Sequence, residues 1–510
     1  MTSVAVRDGR IVHVSGERDA LDDAAPGAAE VIDRPGVVLP GFVDTHNHLM
    51  FAARNRLGVP VATASGLGEL VRRISVRAAS TGDGGWVVTG GDWHELALPE
   101  RRLPTRTELD AAADGHPVLV QRGGHVGMLN TAALRAAGLA PGAEGAELDE
   151  HGALTGRVED AALHAVQALL PEPDQDALAT ALAETSRQYA ATGLVAVRDP
   201  AVSPAEWRAY RRAHADGRLA VRSRAMIFTA PPAIGRAGSV TGYLDDLEWQ
   251  GIRPGAGDAM LDVWGLKVGL DGGVEGAALS ADYLDRPGYR GELLWDRDAL
   301  AELCAVAAAR GWPVGVHAFG DRAIATIAGV LTDLAAERDL PRGGFVVEHG
   351  GLITAEQRRT LARLGVPVTV QQALLDGLAP ALTAAWGPER TAALFPWREL
   401  LDDRVDISAG TDHPIGPLSP LRAIHGMTTR GTPSGVLGPE HAITRAEAIR
   451  LYTRAGAPLL GGGLTGTLTP GAPADLAVYP VDPATCPPEE LPGLTPSDTV
   501  VNGRHWTAAD

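Results

Sequence analysis

Apolar runs scattered from residue 41 to residue 414 end on residues that bind metals, and they do so in a fixed order. Gly41-Phe42-Val43-Asp44-Thr45-His46-Asn47-His48 ends on His-x-His, and Trp264-Gly265-Leu266-Lys267-Val268 encloses a lysine. Val314-Gly315-Val316-His317 and Val346-Val347-Glu348-His349 each end on histidine, and the run from Val405 to Pro414 carries Asp412. Residues two apart on a strand share a side, so His46 and His48 can reach one cation. A lysine inside an apolar strand is costly as an unpaired ammonium; desolvation lowers its pKa, and the neutral amine can take up carbon dioxide as a carbamate that bridges two metals. Each residue also has an ordinary structural role open to it. A histidine at a strand end can be a hydrogen-bonded rim residue, Lys267 can reach solvent or pair with Asp271, and Asp412 before His-Pro can cap a turn. Together, in order, they supply what a paired divalent-metal site needs.

The segments around these runs alternate. Leu194–Val197, Val263–Val268, Val314–Val316, Phe345–Val347 and Val368–Val370 read as strands. Asp176–Ala191, Asp298–Arg310, Arg322–Glu337 and Thr354–Leu364 read as helices, each opened or preceded by Asp or Thr. Such alternation predicts an α/β chain with βα units, a parallel sheet and, by repetition, a barrel over residues 41–459. The ends differ. Val4–Val14 reads as two strands about an Asp8-Gly9 turn and Val31–Leu39 as another, while Ala474–Tyr479 and Thr499–Arg504 read as strands at the far end. Residues 1–40 and 460–510 are expected to pair into one composite β domain. Gly84–Leu134 breaks the βα rhythm and is read as an insertion at about residues 84–134.

Bulk properties narrow the partners. A formal charge of -18, spread along the chain, argues against nucleic acid and an anionic membrane surface, leaving a small-molecule substrate. Homo-oligomerisation stays open. With only Cys304 and Cys486, and no CxxC, any metal must rely on histidine and carboxylate. Arg7, Asp8 and Arg10 interrupt the N-terminal apolar stretch and no later run reaches membrane-spanning length, so a cytoplasmic location is the expectation.

Several phrases carry a resemblance. They are Leu39-Pro40-Gly41-Phe42-Val43-Asp44-Thr45-His46-Asn47-His48, Gly124-His125-Val126-Gly127-Met128-Leu129-Asn130-Thr131-Ala132-Ala133-Leu134, His317-Ala318-Phe319-Gly320-Asp321-Arg322-Ala323, Gly471-Ala472-Pro473-Ala474-Asp475-Leu476 and Val501-Asn502-Gly503-Arg504. Over nearly its whole length the chain resembles the amidohydrolase superfamily, in the branch containing N-substituted formamide deformylase. That resemblance implies a TIM-like (β/α)8 barrel, a small β-sandwich built from both termini and an insertion after the first barrel strand. It also implies metal ligands at His46, His48, Lys267, His317, His349 and Asp412. Thr411-Asp412-His413-Pro414 departs from it, since relatives often have Ser-Asp and a small residue; His413 either touches substrate or fills the rim.

The function expected is hydrolysis of a non-peptide carbon-nitrogen bond, of amide or N-substituted formamide type, by a metal-activated water with Asp412 as proton shuttle. Zinc is the first choice, one or two ions per chain, with Lys267 carboxylated in the two-ion case; manganese, iron or cobalt could occupy the same groups. The alternatives are a mononuclear deaminase using His46, His48, His317 and Asp412, and a non-catalytic ligand-binding barrel. His125, Asn130, Asp92, Gln371 and His413 are weaker substrate-contact candidates.

Overall fold

The computed structural model describes residues 3–16, 32–460 and 465–507. The expected strand start at Val31 lies outside the described residues.

Eight parallel strands form one sheet in chain order: Phe42–Asp44, Leu194–Val202, Arg222–Thr229, Leu261–Gly269, Val314–Ala318, Phe345–His349, Val368–Val370 and Ile407–Ala409. Apolar positions on both faces are buried, as a parallel sheet covered by helices requires. The last strand returns to the first: Thr45 N donates to Ala409 O at 3.2 Å, and Asp412 N donates to His46 O at 2.9 Å. The sheet is thus a nearly closed barrel. Gly410 permits this approach, because a Cβ there would stand 2.7 Å from both His46 N and His46 O.

The covering helices begin where the sequence supplies caps. Asp174 and Asp296 accept first-turn N–H groups ahead of Gln175–Ala190 and Arg297–Ala309, and Thr354 forms a reciprocal capping box with Gln357 ahead of Ala355–Leu364. Their apolar stripes, including Leu178, Leu182, Leu300, Leu303 and Leu361, bury against the sheet. The strand Arg222–Thr229 is masked in the apolar pattern by two arginines, both buried and both partnered. Arg222 pairs with Asp475 at 2.7 Å, and Arg224 donates to Leu460 O at 3.0 Å and pairs with Asp262 at 2.8 Å. These contacts tie the barrel to the C-terminal segment.

Segments from the two ends of the chain pair with each other. Val37–Pro40, Leu476–Tyr479, Asp498–Val501 and Arg504–Thr507 make a four-stranded antiparallel sheet. Ser3–Arg7 and Arg10–Ser15 form a hairpin whose turn residues, Asp8 and Gly9, both have positive φ. A five-stranded sheet arises between the first two barrel strands, from Val87–Val88, Val118–Arg122, Val126–Leu129, Ala146–Leu148 and Leu154–Glu159. It continues beyond Leu134 because Leu154–Glu159 pairs with Val126–Leu129, and Leu119, Leu129, Leu163 and Val166 give it a separate core. Among the described residues no helix is long and apolar enough to cross a membrane.

Candidate active site

The C-terminal strand ends converge on a buried centre. One ligand-type atom each from His46, His349 and Asp412 lies within 4.8 Å of the others, and all three residues are buried. His48 joins them, with Nε2 3.0 Å from Asp412 Oδ1, while His46 Nε2 is 3.5 Å from the same oxygen. The ring of His349 lies 4.6 Å from that of His46 and 4.5 Å from that of His317. Two of the residues are held in the left-handed region, His349 at φ 73° and Asp412 at φ 54°, which is costly for non-glycine residues and concentrates at functional sites.

The hydrogen bonds around the centre determine which nitrogen of each ring is free. His46 Nδ1 donates to Glu348 Oε2 at 2.6 Å, His48 Nδ1 to Pro200 O at 3.1 Å and His349 Nδ1 to Gln371 Oε1 at 2.7 Å. Each Nε2 is then a lone pair, so His46 and His48 set lone pairs against a carboxylate oxygen. His46 Nε2 and Asp412 Oδ1 are buried without any hydrogen-bond partner. Burial, together with the neighbouring Lys267 and histidines, holds His46, His317 and His349 well below the usual histidine range. Their neutral form is the one that ligates a cation.

Lys267 is fully enclosed in the fourth strand. Burial pulls its pKa down to about 8, against the opposing charges of Glu348 and Asp412. His317 is oriented differently from the other rings: its Nε2 faces Gly272 O at 3.2 Å and Asp271 Oδ1 at 3.4 Å.

Comparison with known proteins agrees with this architecture, since the model of the amidohydrolase family matches residues 30–505. The chain belongs to the amidohydrolase family. It is 30% identical to N-substituted formamide deformylase of Arthrobacter pascens over 98% of this chain and 94% of the relative. It is 26% identical to the putative amidohydrolase YtcJ of Bacillus subtilis over 98% of this chain and 95% of that one. An uncharacterized metal-dependent hydrolase from Pyrococcus horikoshii shares the fold, with a TM-score of 0.75, 23% identity and coverage of 96% of this chain and 95% of its own. The protein is therefore a hydrolase built on the amidohydrolase barrel.

Other sequence candidates of this amidohydrolase fall in different places. Gln371 serves His349 rather than the cavity: its Oε1 takes the histidine Nδ1–H and its Nε2 donates to Thr369 Oγ1 at 3.2 Å. Asn130 caps the helix Thr131–Ala137, accepting from Val118 N and Ala133 N at 2.9 Å each and donating to His116 O at 2.8 Å, so its amide is engaged within the inserted segment. His413 Nδ1 is bonded to Gly416 O at 3.1 Å, its ring meets Tyr189 edge-on, and burial pushes its pKa down to about 4. Asp92 is exposed beside Gly90, and no hydrogen bond joins it to the cluster among the described residues. His125 does reach the centre, its ring 5.6 Å from that of His317.

Behind His46 lies a buried support: sequence reading takes Glu348 and Asp44 as supporting or core-pairing side chains and assigns no role to Arg198. Arg198 Nη2 donates to Glu348 Oε1 at 2.6 Å and Thr369 Oγ1 to Glu348 Oε2 at 2.6 Å, while Arg198 also donates to Thr45 O at 2.9 Å and stacks on Trp264. The signal was present in Leu194-Val195-Ala196-Val197-Arg198-Asp199, a charge inside an apolar strand like that at Lys267. Asp44 is the other such support. It accepts from Thr411 Oγ1 at 2.6 Å and Asn47 Nδ2 at 2.9 Å, linking the first strand to the loop of Asp412, and burial raises its pKa to about 6.

Proposed function

We propose that this amidohydrolase hydrolyses the carbon-nitrogen bond of a small amide, of the N-substituted formamide type, with the help of one or two divalent cations. The observation that carries the reading is the pair of partnerless buried atoms, His46 Nε2 and Asp412 Oδ1, facing each other beside the lone pair of His48. Buried polar atoms without partners are rare, and lone pairs set against a carboxylate oxygen repel unless a cation lies between them. The donor set of imidazole and carboxylate suits zinc first, and manganese, iron or cobalt after it. His46, His48, His349 and Asp412 would hold the cation, with His317 and Lys267 completing a second position.

A bound divalent cation supplies Lewis acidity at a carbonyl oxygen and acidifies water. The chain supplies the rest. Asp412 accepts the proton of the attacking water and is the source from which the leaving nitrogen regains one. Glu348 and Gln371 hold His46 and His349 in the tautomer that presents Nε2. Lys267, whose amine pKa burial brings down to about 8, would supply a carbamate ligand if two cations are held.

The formamide class is taken from the Arthrobacter relative. The test is turnover of a panel of formyl and acyl amides by zinc-loaded protein, beside Asp412→Asn. Release of amine by the wild-type protein and its loss in the variant is expected; a fully active Asp412→Asn protein contradicts the assignment. Metal stoichiometry separates the two-ion hydrolase, with Lys267 carboxylated, from a one-ion deaminase with Lys267 unmodified.

A further inference from the structure

His125 and Asp160 flank two paired strands of the inserted sheet, Val126–Leu129 and Leu154–Glu159, yet they meet the barrel at its mouth. His125 Nδ1 lies 2.6 Å from Asp160 Oδ1, and Asp160 N donates to His125 O at 3.0 Å, so side chain and main chain both fix the pair. Asp160 holds this position at φ 35°, in the left-handed region, as the first residue of the helix Asp160–Gln167. The loop that follows the Lys267 strand is shaped around the pair. A Cβ on Gly272 or Gly276 would collide with the Asp160 carboxylate, and one on Gly273 would stand 3.0 Å from His125 Cδ2.

Nδ1 carries its hydrogen toward Asp160, which leaves Nε2 as the outward atom of the ring. Among the described residues Nε2 has no hydrogen-bond partner, and the His125 side chain keeps 35% of its surface exposed next to the ring of His317. Asp160 keeps only 10%. A buried carboxylate behind a part-open imidazole is the arrangement that orients a histidine for proton transfer.

Resting on the carbon-nitrogen hydrolysis proposed above, we infer that His125 is a catalytic residue at the leaving group, positioned by Asp160, and that the substrates it serves are amides of strongly basic amines. Water gives one proton to Asp412 as its oxygen bonds to the carbonyl carbon. The carbon-nitrogen bond then breaks and its electron pair goes to nitrogen; His125 Nε2, a lone pair at rest, takes up the proton that Asp412 holds and delivers it to that nitrogen, so the ring ends as it began and the sum is amide plus water to acid plus amine. An alkylamine cannot leave without that proton, whereas a nitroaniline can.

The experiment compares wild-type, His125→Gln and Asp160→Asn full-length proteins, metal-loaded, on N-butylformamide and 4-nitroformanilide. Removing a general acid lowers the rate by about 10²–10⁴-fold where protonation is needed. His125→Gln is expected to lose at least about 10² in kcat/KM on N-butylformamide and less than about tenfold on 4-nitroformanilide, with Asp160→Asn showing the same contrast at smaller size. Metal content and thermal midpoint are expected to match the wild type. Equal losses on both substrates, altered metal content, or no loss on either overturns the inference while leaving the hydrolase reading in place. A metal-loaded wild-type protein inert toward both substrates overturns that reading, and the inference with it.

Discussion

The support behind His46 makes a quantitative test. Three donors converge on Glu348: Arg198 Nη2, His46 Nδ1 and Thr369 Oγ1, each at 2.6 Å, and neither Arg198 nor Glu348 has any exposed side-chain surface. Glutamine has the same shape but one acceptor oxygen and one NH2 group. Whichever way the amide of Glu348→Gln turns, it sets a donor against a donor, and the Arg198 guanidinium loses its counter-charge. Leaving a buried charge unpaired costs about 3–5 kcal/mol. Glu348→Gln is therefore expected to lose about 4 kcal/mol in urea unfolding followed by circular dichroism. Removing the orphaned charge as well should recover part of this. Arg198→Met/Glu348→Gln is expected to be less destabilised than the sum of the two single variants by about 1–3 kcal/mol, as residues in one network are. A loss below about 1 kcal/mol for Glu348→Gln, or strict additivity, would refute the reasoning. Metal affinity gives a second reading of the same variant, because loss of a carboxylate behind a ligating histidine typically weakens binding by about 10–100-fold.

Other expectations are independent of that support. Asp412→Asn should lower kcat by about 10³-fold or more while unfolding at the wild-type midpoint in metal-free buffer, which rate assays and melting curves check together. Dialysis against a chelator should abolish turnover, and zinc, but not sodium, should restore it. Asp376 is pushed by burial from 3.8 to about 7, against the nearby Gln372 amide and the charges of Arg422 and Arg430. Because the folded chain holds this proton more tightly, its contribution is fully present below pH 3.8 and is lost as pH rises through about 7. Asp376→Asn should match the wild type near pH 4 and exceed it at pH 8 by up to about 4 kcal/mol in pH-dependent unfolding. Gly410→Ala should destabilise by about 1–3 kcal/mol, since a methyl group meets the His46 backbone, and equal stability would remove that reading of the closure.

Much of this architecture can be read before any coordinates. The strands at Leu194, Val263, Val314, Phe345 and Val368 are legible because burial on both faces makes them continuously apolar. The helices are legible because Asp174, Asp296 and Thr354 cap them. The strand Arg222–Thr229 is hidden by arginines whose partners, Asp475 and Leu460, lie more than two hundred residues away. The extent of the inserted sheet is hidden for a similar reason: Leu154–Glu159 joins by pairing with Val126–Leu129, which no local pattern announces. Within the site, strand periodicity points His46 and His48 the same way. It cannot show that Gln371 faces His349, that Asn130 is a helix cap, or that Asp160 backs His125, because those partnerships are made across the fold.

The central claim is that His46, His349 and Asp412, with His48, enclose a cation. Anomalous X-ray scattering at the zinc edge, from crystals of zinc-loaded protein, tests it directly. A peak within bonding distance of His46 Nε2 and an Asp412 carboxylate oxygen is predicted, with a second peak beside Lys267 in the two-ion case. Zinc bound only elsewhere on the protein, with that centre empty, would contradict the account.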